Sequence, residues 1–543
     1  MTIKGVLLLA LLSVAAVGSV EAAFAPLPCN ARKVIYFGWD TLGATTEDVY
    51  VNRDKFAEAG FDGIAMQVDG VDPNGQRIVG RKVISSRQWS YDDFAATLPK
   101  LKEMTKLKGL KESVAMVYWM SKPRLKWDDD AAWERFAENM RVVCRVAKEG
   151  GLKGCFIDHE DYTGKPLFIW RRGEDPALDE TLALARKRGA QVFKAMYEAF
   201  PEGKMIVDRG ILQHEPEVNS HTIPEAVRQR GGLWLAFMNG GLEVLPDGSR
   251  FCDGNEASYG EITADDYRAR YFACCREALE LVEPQLRRKY QDSLEMCFAK
   301  YLNAHLPPKS TPAKFTESLF GAGYLTDELY WVYGERFSVI DWGRELSKRT
   351  TNVVWGTKFP DFAQQLRVSV GDYSGLRTRA AAGELANLVS NSDCDAKARQ
   401  RTPAPFGEHN ESKKADAAAC FAYDASDGCS KPGCLMKIGN GSYTLGCDGC
   451  VRPGERFYVT IAAKADNPCI NVVWRSEKKP AKWHWHAGYQ ILVRPSADLG
   501  NGWKRYEVCA LAPEGVDGIG LVFGGFATPE SPVKFDDIAI YRW

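Results

Sequence analysis

Gly154-Cys155-Phe156-Ile157-Asp158-His159-Glu160-Asp161-Tyr162 begins as an apolar strand and turns acidic at its end. Side chains along a strand alternate between its two faces, so Asp158 and Glu160 share one side while His159 takes the other. A carboxylate pair at the C-terminal end of a strand lies where (β/α) barrels carry their chemistry. Two acids held together also raise one another's affinity for a proton, which is what a general acid needs. The same pattern fits an acidic strand end that caps a helix or pairs with an arginine.

Seven further apolar runs accompany this one: Val34 to Trp39, Gly63 to Val68, Val114 to Trp119, Met205 to Asp208, Arg250 to Asp253, Leu294 to Tyr301 and Tyr330 to Tyr333. Amphipathic segments with apolar residues at three and four spacing separate them, most clearly Tyr91 to Lys106, Asp129 to Glu149, Leu178 to Phe200 and Ala264 to Tyr290. Eight strands alternating with helices predict an α/β fold, a (β/α)8 TIM barrel over residues 24–380. The open doubly wound sheet is the rival, but no Gly-x-Gly-x-x-Gly follows the first strand.

Beyond residue 386 the pattern changes to short alternating strands among Gly, Pro, Asn and Asp, including Arg456 to Ala463, Tyr489 to Val493, Lys504 to Ala510 and Val533 to Tyr541. This predicts an all-β sandwich over 386–543. A chain of 543 residues exceeds what one core supports, in keeping with two domains.

Residues 1–23 read as a secretory signal, one Lys followed by an apolar stretch too short to span a bilayer. The expected location is secreted or periplasmic, without a membrane anchor after cleavage, and the expected state is a monomer. Fifteen cysteines, eight of them from Cys394 to Cys509, suggest disulfides in the terminal segment. A net charge of -1 offers no global field for nucleic acid.

The other strand ends are also rich in acids and rings, and poor in histidine. Cleavage of a glycosidic bond needs one protonated carboxyl, one ionised carboxylate and aromatic faces for the sugar, with no cofactor. The catalytic candidates are Glu160 as acid, Asp158 as its modulator, and Glu256 or Glu335 as the second carboxylate. Trp39, Asp40, Tyr118, Trp119, Tyr162, Asp253, Tyr259, Trp331 and Tyr333 are the expected substrate contacts, and Trp483 and Trp485 a platform in the second domain. Two other readings fit: a glycan-binding groove without turnover, and a metal-dependent hydrolase using His159, His214 and His305.

The Phe156 to Tyr162 segment resembles the fourth-strand motif of chitinase-type glycoside hydrolases, in which Asp-x-Glu supplies the acid and its neighbour. Lys153 and Phe156 stand where that motif has its earlier aspartates. The resemblance therefore implies a glycoside hydrolase barrel acting on a polysaccharide or oligosaccharide, and does not imply substrate-assisted cleavage of an N-acetyl sugar. From Asn387-Leu388-Val389-Ser390-Asn391 to Phe535-Asp536-Asp537-Ile538-Ala539-Ile540-Tyr541 the chain resembles carbohydrate-binding jelly-roll modules. That likeness implies a glycan-holding domain and a structural calcium at Asp536 and Asp537.

Overall fold

The computed structural model describes residues 32–212, 232–305, 311–359, 361–396, 402–409, 419–465, 468–476, 482–484 and 495–543. The signal segment, His214, Trp485 and the expected strand Tyr489 to Val493 lie outside the described residues.

Nine strands form one curled parallel sheet: β1 (Lys33–Gly38), β2 (Gly63–Met66), β3 (Val114–Tyr118), β4 (Gly154–Asp158), β5 (Lys204–Val207), β6 (Phe251–Asp253), β7 (Leu294–Met296), β8 (Ala299–Tyr301) and β9 (Leu329–Gly334). Their order is β8-β9-β1-β2-β3-β4-β5-β6-β7. The two ends of this path, β7 and β8, are separated only by Cys297 and Phe298. Each expected strand is present, and Leu294 to Tyr301, read as one run, is divided in two.

Period-two alternation sorts the strand residues into two cores. One face gives a cluster drawn from every strand but β7, and completed by Cys297 next to it: Ile35, Phe37, Ala65, Val114, Met116, Phe156, Ile206, Cys252, Cys297, Ala299, Leu329 and Trp331, with Tyr118, Tyr259 and Tyr333 packed on it. Phe156 lies 5.1 Å from Phe37 and 4.8 Å from Trp331, ring centre to ring centre. The opposite face packs under helices, chiefly α1 (Asp130–Gly150), α2 (Leu178–Ala199), α3 (Gly232–Glu243), α4 (Ala264–Arg276) and α5 (Pro312–Leu325). Helix α1 starts where Asp129 accepts the Ala132 amide and ends at Gly151, whose φ of 84° is the left-handed stop glycine permits.

The C-terminal region carries separate antiparallel sheets. One contains Phe421–Asp424, Cys434–Lys437, Val533–Arg542, Arg456–Lys464, Trp503–Leu511 and Ala497–Gly500 in that order. The other contains Gly407–His409, Ser442–Cys447, Gly518–Gly525, Pro468–Ser476 and Lys482–His484. They face each other through Phe523 against Phe535 and Phe457 against Trp474, 4.9 and 6.0 Å apart. Tyr373 and Arg377 reach this region, the first stacking at 5.9 Å on Tyr458 and the second 3.6 Å from Glu507.

Among the described residues no helix is long and apolar enough to cross a membrane. Among the described residues no disulfide is formed, so the disulfides expected in the terminal segment are not shown. Cys144 of α1 and Cys155 of β4 approach to 3.7 Å.

Candidate functional site

Alternation sets the inner layer next to the Phe156 cluster. Two residues beyond Phe156 comes Asp158, beyond Ile206 comes Asp208, beyond Met116 comes Tyr118, and beyond Trp331 comes Tyr333. This brings Asp158, Glu160 and Asp208 together, with carboxylate oxygens mutually within 4.8 Å. Glu256 joins from a turn after β6: Asn255 takes a left-handed φ of 42°, and the Glu256 amide donates to the Asp208 carbonyl at 2.9 Å.

Arg209, directly after Asp208, ties this group together. Its guanidinium donates to Glu160 and, at 2.5 Å, to Glu256. The Asp158 carboxylate accepts the Glu160 amide at 2.9 Å. His159, on the opposite side of the strand, bonds Asp208 at 2.6 Å and stacks on Trp234 of α3 at 3.7 Å.

Four carboxyl groups face one guanidinium here, so full ionisation would leave an excess of negative charge in a half-enclosed space. Burial, then Asp208 and Glu160, hold Asp158 well above the usual carboxylate range. Burial and Asp208 push Glu256 up to about 7 against the pull of Arg209. Burial alone would weaken the Arg209 cation, but Glu256 and Glu160 outweigh it and keep it charged. The arrangement therefore stores a proton among carboxyls near neutral pH, beside one fixed positive charge.

Aromatic side chains line the same end of the sheet. Tyr259, Tyr301 and Tyr333 stack on one another at 5.3 to 5.9 Å. Tyr118 lies beside Asp158 in register and under the Arg81 guanidinium, 5.6 Å away. Tyr162 is 79 % exposed, and its hydroxyl's hold on its proton is raised by burial and by nearby Glu160.

Several expected contacts occupy other positions. Trp119 is fully enclosed by Phe136, Phe193, Trp234 and Phe237 in the helical layer, because it follows the inward Tyr118 by one residue. Asp40 is buried and accepts the Val339 amide and the Trp342 indole N–H at 2.8 and 3.0 Å, a clasp on the loop after β9. Asp253, also buried, caps its own turn through the Asn255 amide and is pushed up to about 6 by burial. Trp331 belongs to the sheet's inner core, its indole donating to the Gly254 carbonyl at 2.6 Å. Glu335 is held by the Tyr301 hydroxyl at 2.6 Å and the Asn303 amide at 2.9 Å, and not by Arg209. Trp39 packs at the edge of the inner cluster with Arg349 over its ring at 4.2 Å.

The sequence reading had Asp208 and Arg209 at a polar strand end without giving them a role, and it missed Trp234. Asp208 and Arg209 sit at a strand end one place along the sheet from Asp158, and that adjacency was the available signal. Trp234 gave none.

In the C-terminal region Asp536 is wholly buried. One of its oxygens accepts the Cys429 amide at 2.7 Å and the other has no partner. Asp537 adopts a φ of 46° and accepts the Ser430 hydroxyl at 2.8 Å. Burial first, then Asp537 and Asp393, push Asp536 up to about 7. An unmatched buried carboxylate oxygen among acids fits a hard cation such as calcium.

No protein-family model matches the chain, and no curated protein matches it. Solved structures resemble parts of it. The enzymatically active domain of bacteriophage CBA120 tailspike protein 4 is 14 % identical over 29 % of this chain and 21 % of that chain, at a TM-score of 0.21. The CBM22-1-GH10 modules of a Clostridium thermocellum endo-1,4-beta-D-xylanase, complexed with xylohexaose, are 13 % identical over 29 % of this chain and 28 % of theirs, at 0.21. A cyclase from Fischerella sp. TAU is 9 % identical over 29 % of this chain and 98 % of its own, at 0.22. This chain thus spans about a fifth of the tailspike domain, and at such scores none of these likenesses carries its chemistry over.

Proposed function

We propose that the protein is an exported glycoside hydrolase that cleaves a polysaccharide or oligosaccharide by paired carboxylates. In this reading β7 and β8 are one broken strand of an eight-stranded barrel, and the C-terminal sheets form a jelly-roll that keeps the enzyme on its polymer. Tethering of that kind raises the local concentration of cleavable chain. The observation that carries the proposal is the group Asp158, Glu160, Asp208 and Glu256, gathered around Arg209 at the C-terminal ends of adjacent strands and flanked by tyrosines.

Glu160 is the general acid in this scheme. Asp158, whose hold on a proton burial and Asp208 strengthen, lies within 4.8 Å of Glu160 and acts as its modulator. Glu256, which shares Arg209 with Glu160, is a better second carboxylate than Glu335, which Tyr301 and Asn303 hold. Above pH 7, where it has lost its proton, it would serve as nucleophile or as base toward water on the opposite face of the ring. Arg209 limits the charge that builds up while both acids work.

Glu160→Gln tests this on a panel of neutral polysaccharides. General acid catalysis supplies roughly 10²–10⁴-fold, so turnover should fall by that factor while binding persists. Arginine pairing of both acids also suits a glycan-binding groove without turnover. A parent protein that binds a panel member and releases no reducing ends would establish that reading instead. The close oxygens of Asp158, Glu160 and Asp208 admit a metal-dependent hydrolase as a third reading. Activity lost to a chelator and restored by a divalent ion would favour it. We also propose a structural calcium at Asp536 and Asp537.

A further inference from the structure

The Arg209 group draws on β4, β5 and β6. The strands on the other side of the sheet's curl, β8, β9 and β1, end in a different set of polar groups that the chemistry above leaves unused. Phe37 pairs in register with Tyr333, and Gly38 with Gly334, so Trp39 and Glu335 leave adjacent strands at matching heights. Tyr301 ends β8, paired with Tyr333, and Asn303 follows two residues later.

Glu335 receives the Tyr301 hydroxyl and the Asn303 amide on a single oxygen, Oε2, at 2.6 and 2.9 Å. Its Oε1 accepts nothing among the described residues. Asn303 is 7 % exposed, yet its amide oxygen has no donor. The Trp39 indole N–H, also covered, has no acceptor. Unmatched buried polar atoms are costly, and each calls for a reason such as an ordered water, an ion or a functional role. Of these atoms the Asn303 oxygen and the Trp39 N–H are buried, whereas the second Glu335 oxygen is open to solvent, beside Tyr301 and the rings of Tyr333 and Tyr259 that stack on it.

Resting on the glycan-cleaving reading, we infer that Glu335, Asn303, Tyr301 and Trp39 form a recognition subsite for an uncharged sugar ring. That ring is held next to the one whose bond breaks, with its hydroxyls on Glu335 and Asn303. Sugar hydroxyls both donate and accept, so a ring can bond the open Glu335 oxygen while Asn303 and Tyr301 hold that carboxylate in place. A carboxylate on Glu335 disfavours a uronate in the same position. Glu335 is then a substrate-binding residue, and its mutation acts on affinity where Glu160 acts on rate.

The test compares Glu335→Gln and Asn303→Leu with the parent and with Glu160→Gln, on xylo-, cello-, manno- and chito-hexaose. Thermal unfolding verifies that each variant folds. The inference expects KM to rise tenfold or more in Glu335→Gln and in any folded Asn303→Leu, with kcat within about threefold of the parent. Unchanged KM overturns it, as does a thousandfold loss of kcat at constant KM, which would move Glu335 among the reacting carboxylates. Should the parent cleave none of the four, the hydrolase proposal fails by itself, and calorimetric binding of the same hexaoses decides the subsite. Tenfold weaker binding in Glu335→Gln sustains it; equal binding, or no binding by the parent, ends it.

Discussion

Replacing Glu256 with Gln should make the protein more stable at alkaline pH, by an amount the site's geometry fixes. In the unfolded chain this carboxyl titrates near 4.5, and in the folded protein burial and Asp208 raise it to about 7. Between those values the folded state holds a proton that the unfolded state has lost. Folding is therefore favoured on the acid side: the contribution is fully present below 4.5 and is lost as pH rises through 7. From pH 5 to pH 8 this amounts to about 2.5 kcal/mol for the one group. The attraction of Arg209 is already contained in the folded titration point and is not added again. Gln resembles the protonated acid at every pH. The variant should exceed the parent by about 1 kcal/mol at pH 5 and by about 3 kcal/mol at pH 8, a widening of about 2.5 kcal/mol. Urea unfolding followed by tryptophan fluorescence at both pH values measures this difference directly. The same stability gap between parent and variant at pH 5 and pH 8 would refute the reasoning, since Glu256 would then titrate alike in both states. If Glu256 is also the second carboxylate, the stabilised variant should lose its turnover, the usual exchange at a strained site.

Other perturbations probe the scaffold and the second domain. Phe156→Ala opens a hole among Phe37, Trp331 and the strand interior, and should cost about 3–5 kcal/mol in chemical denaturation. Gly189→Ala would put a methyl 1.8 Å from the Phe237 carbonyl oxygen where α2 crosses α3. Forcing those helices apart should cost about 1–3 kcal/mol, read as a lower unfolding midpoint. Added calcium should raise the unfolding temperature of the parent and not of Asp536→Asn, and an identical response in both would remove the cation from that site.

The strands were legible because each is a short apolar run closed by polar residues, and the helices α1 and α2 because one face of each is apolar. Helix α3 escaped notice for the opposite reason. Leu233, Trp234, Leu235, Phe237 and Met238 are all buried, so no polar stripe marks a period. The segment Ala264 to Tyr290, read as one helix, breaks at Arg276, passes through short turns around Pro284 and resumes as a helix over Arg287–Ser293. The Asp158 and Glu160 pairing followed from strand alternation, and the same rule applied to Tyr118 would have turned Trp119 outward. What alternation along one strand cannot supply is which strand ends meet. That Arg209 reaches both Glu160 and Glu256, while Glu335 turns to Tyr301, depends on the order of strands around the sheet and on the Asn255 turn.

A lone guanidinium answering to two acids from different strands makes those acids a single electrical unit. A limb of a pH–rate curve would then belong to the ensemble and not to one residue. A mutation or inhibitor that draws Arg209 away from either partner should displace both limbs together.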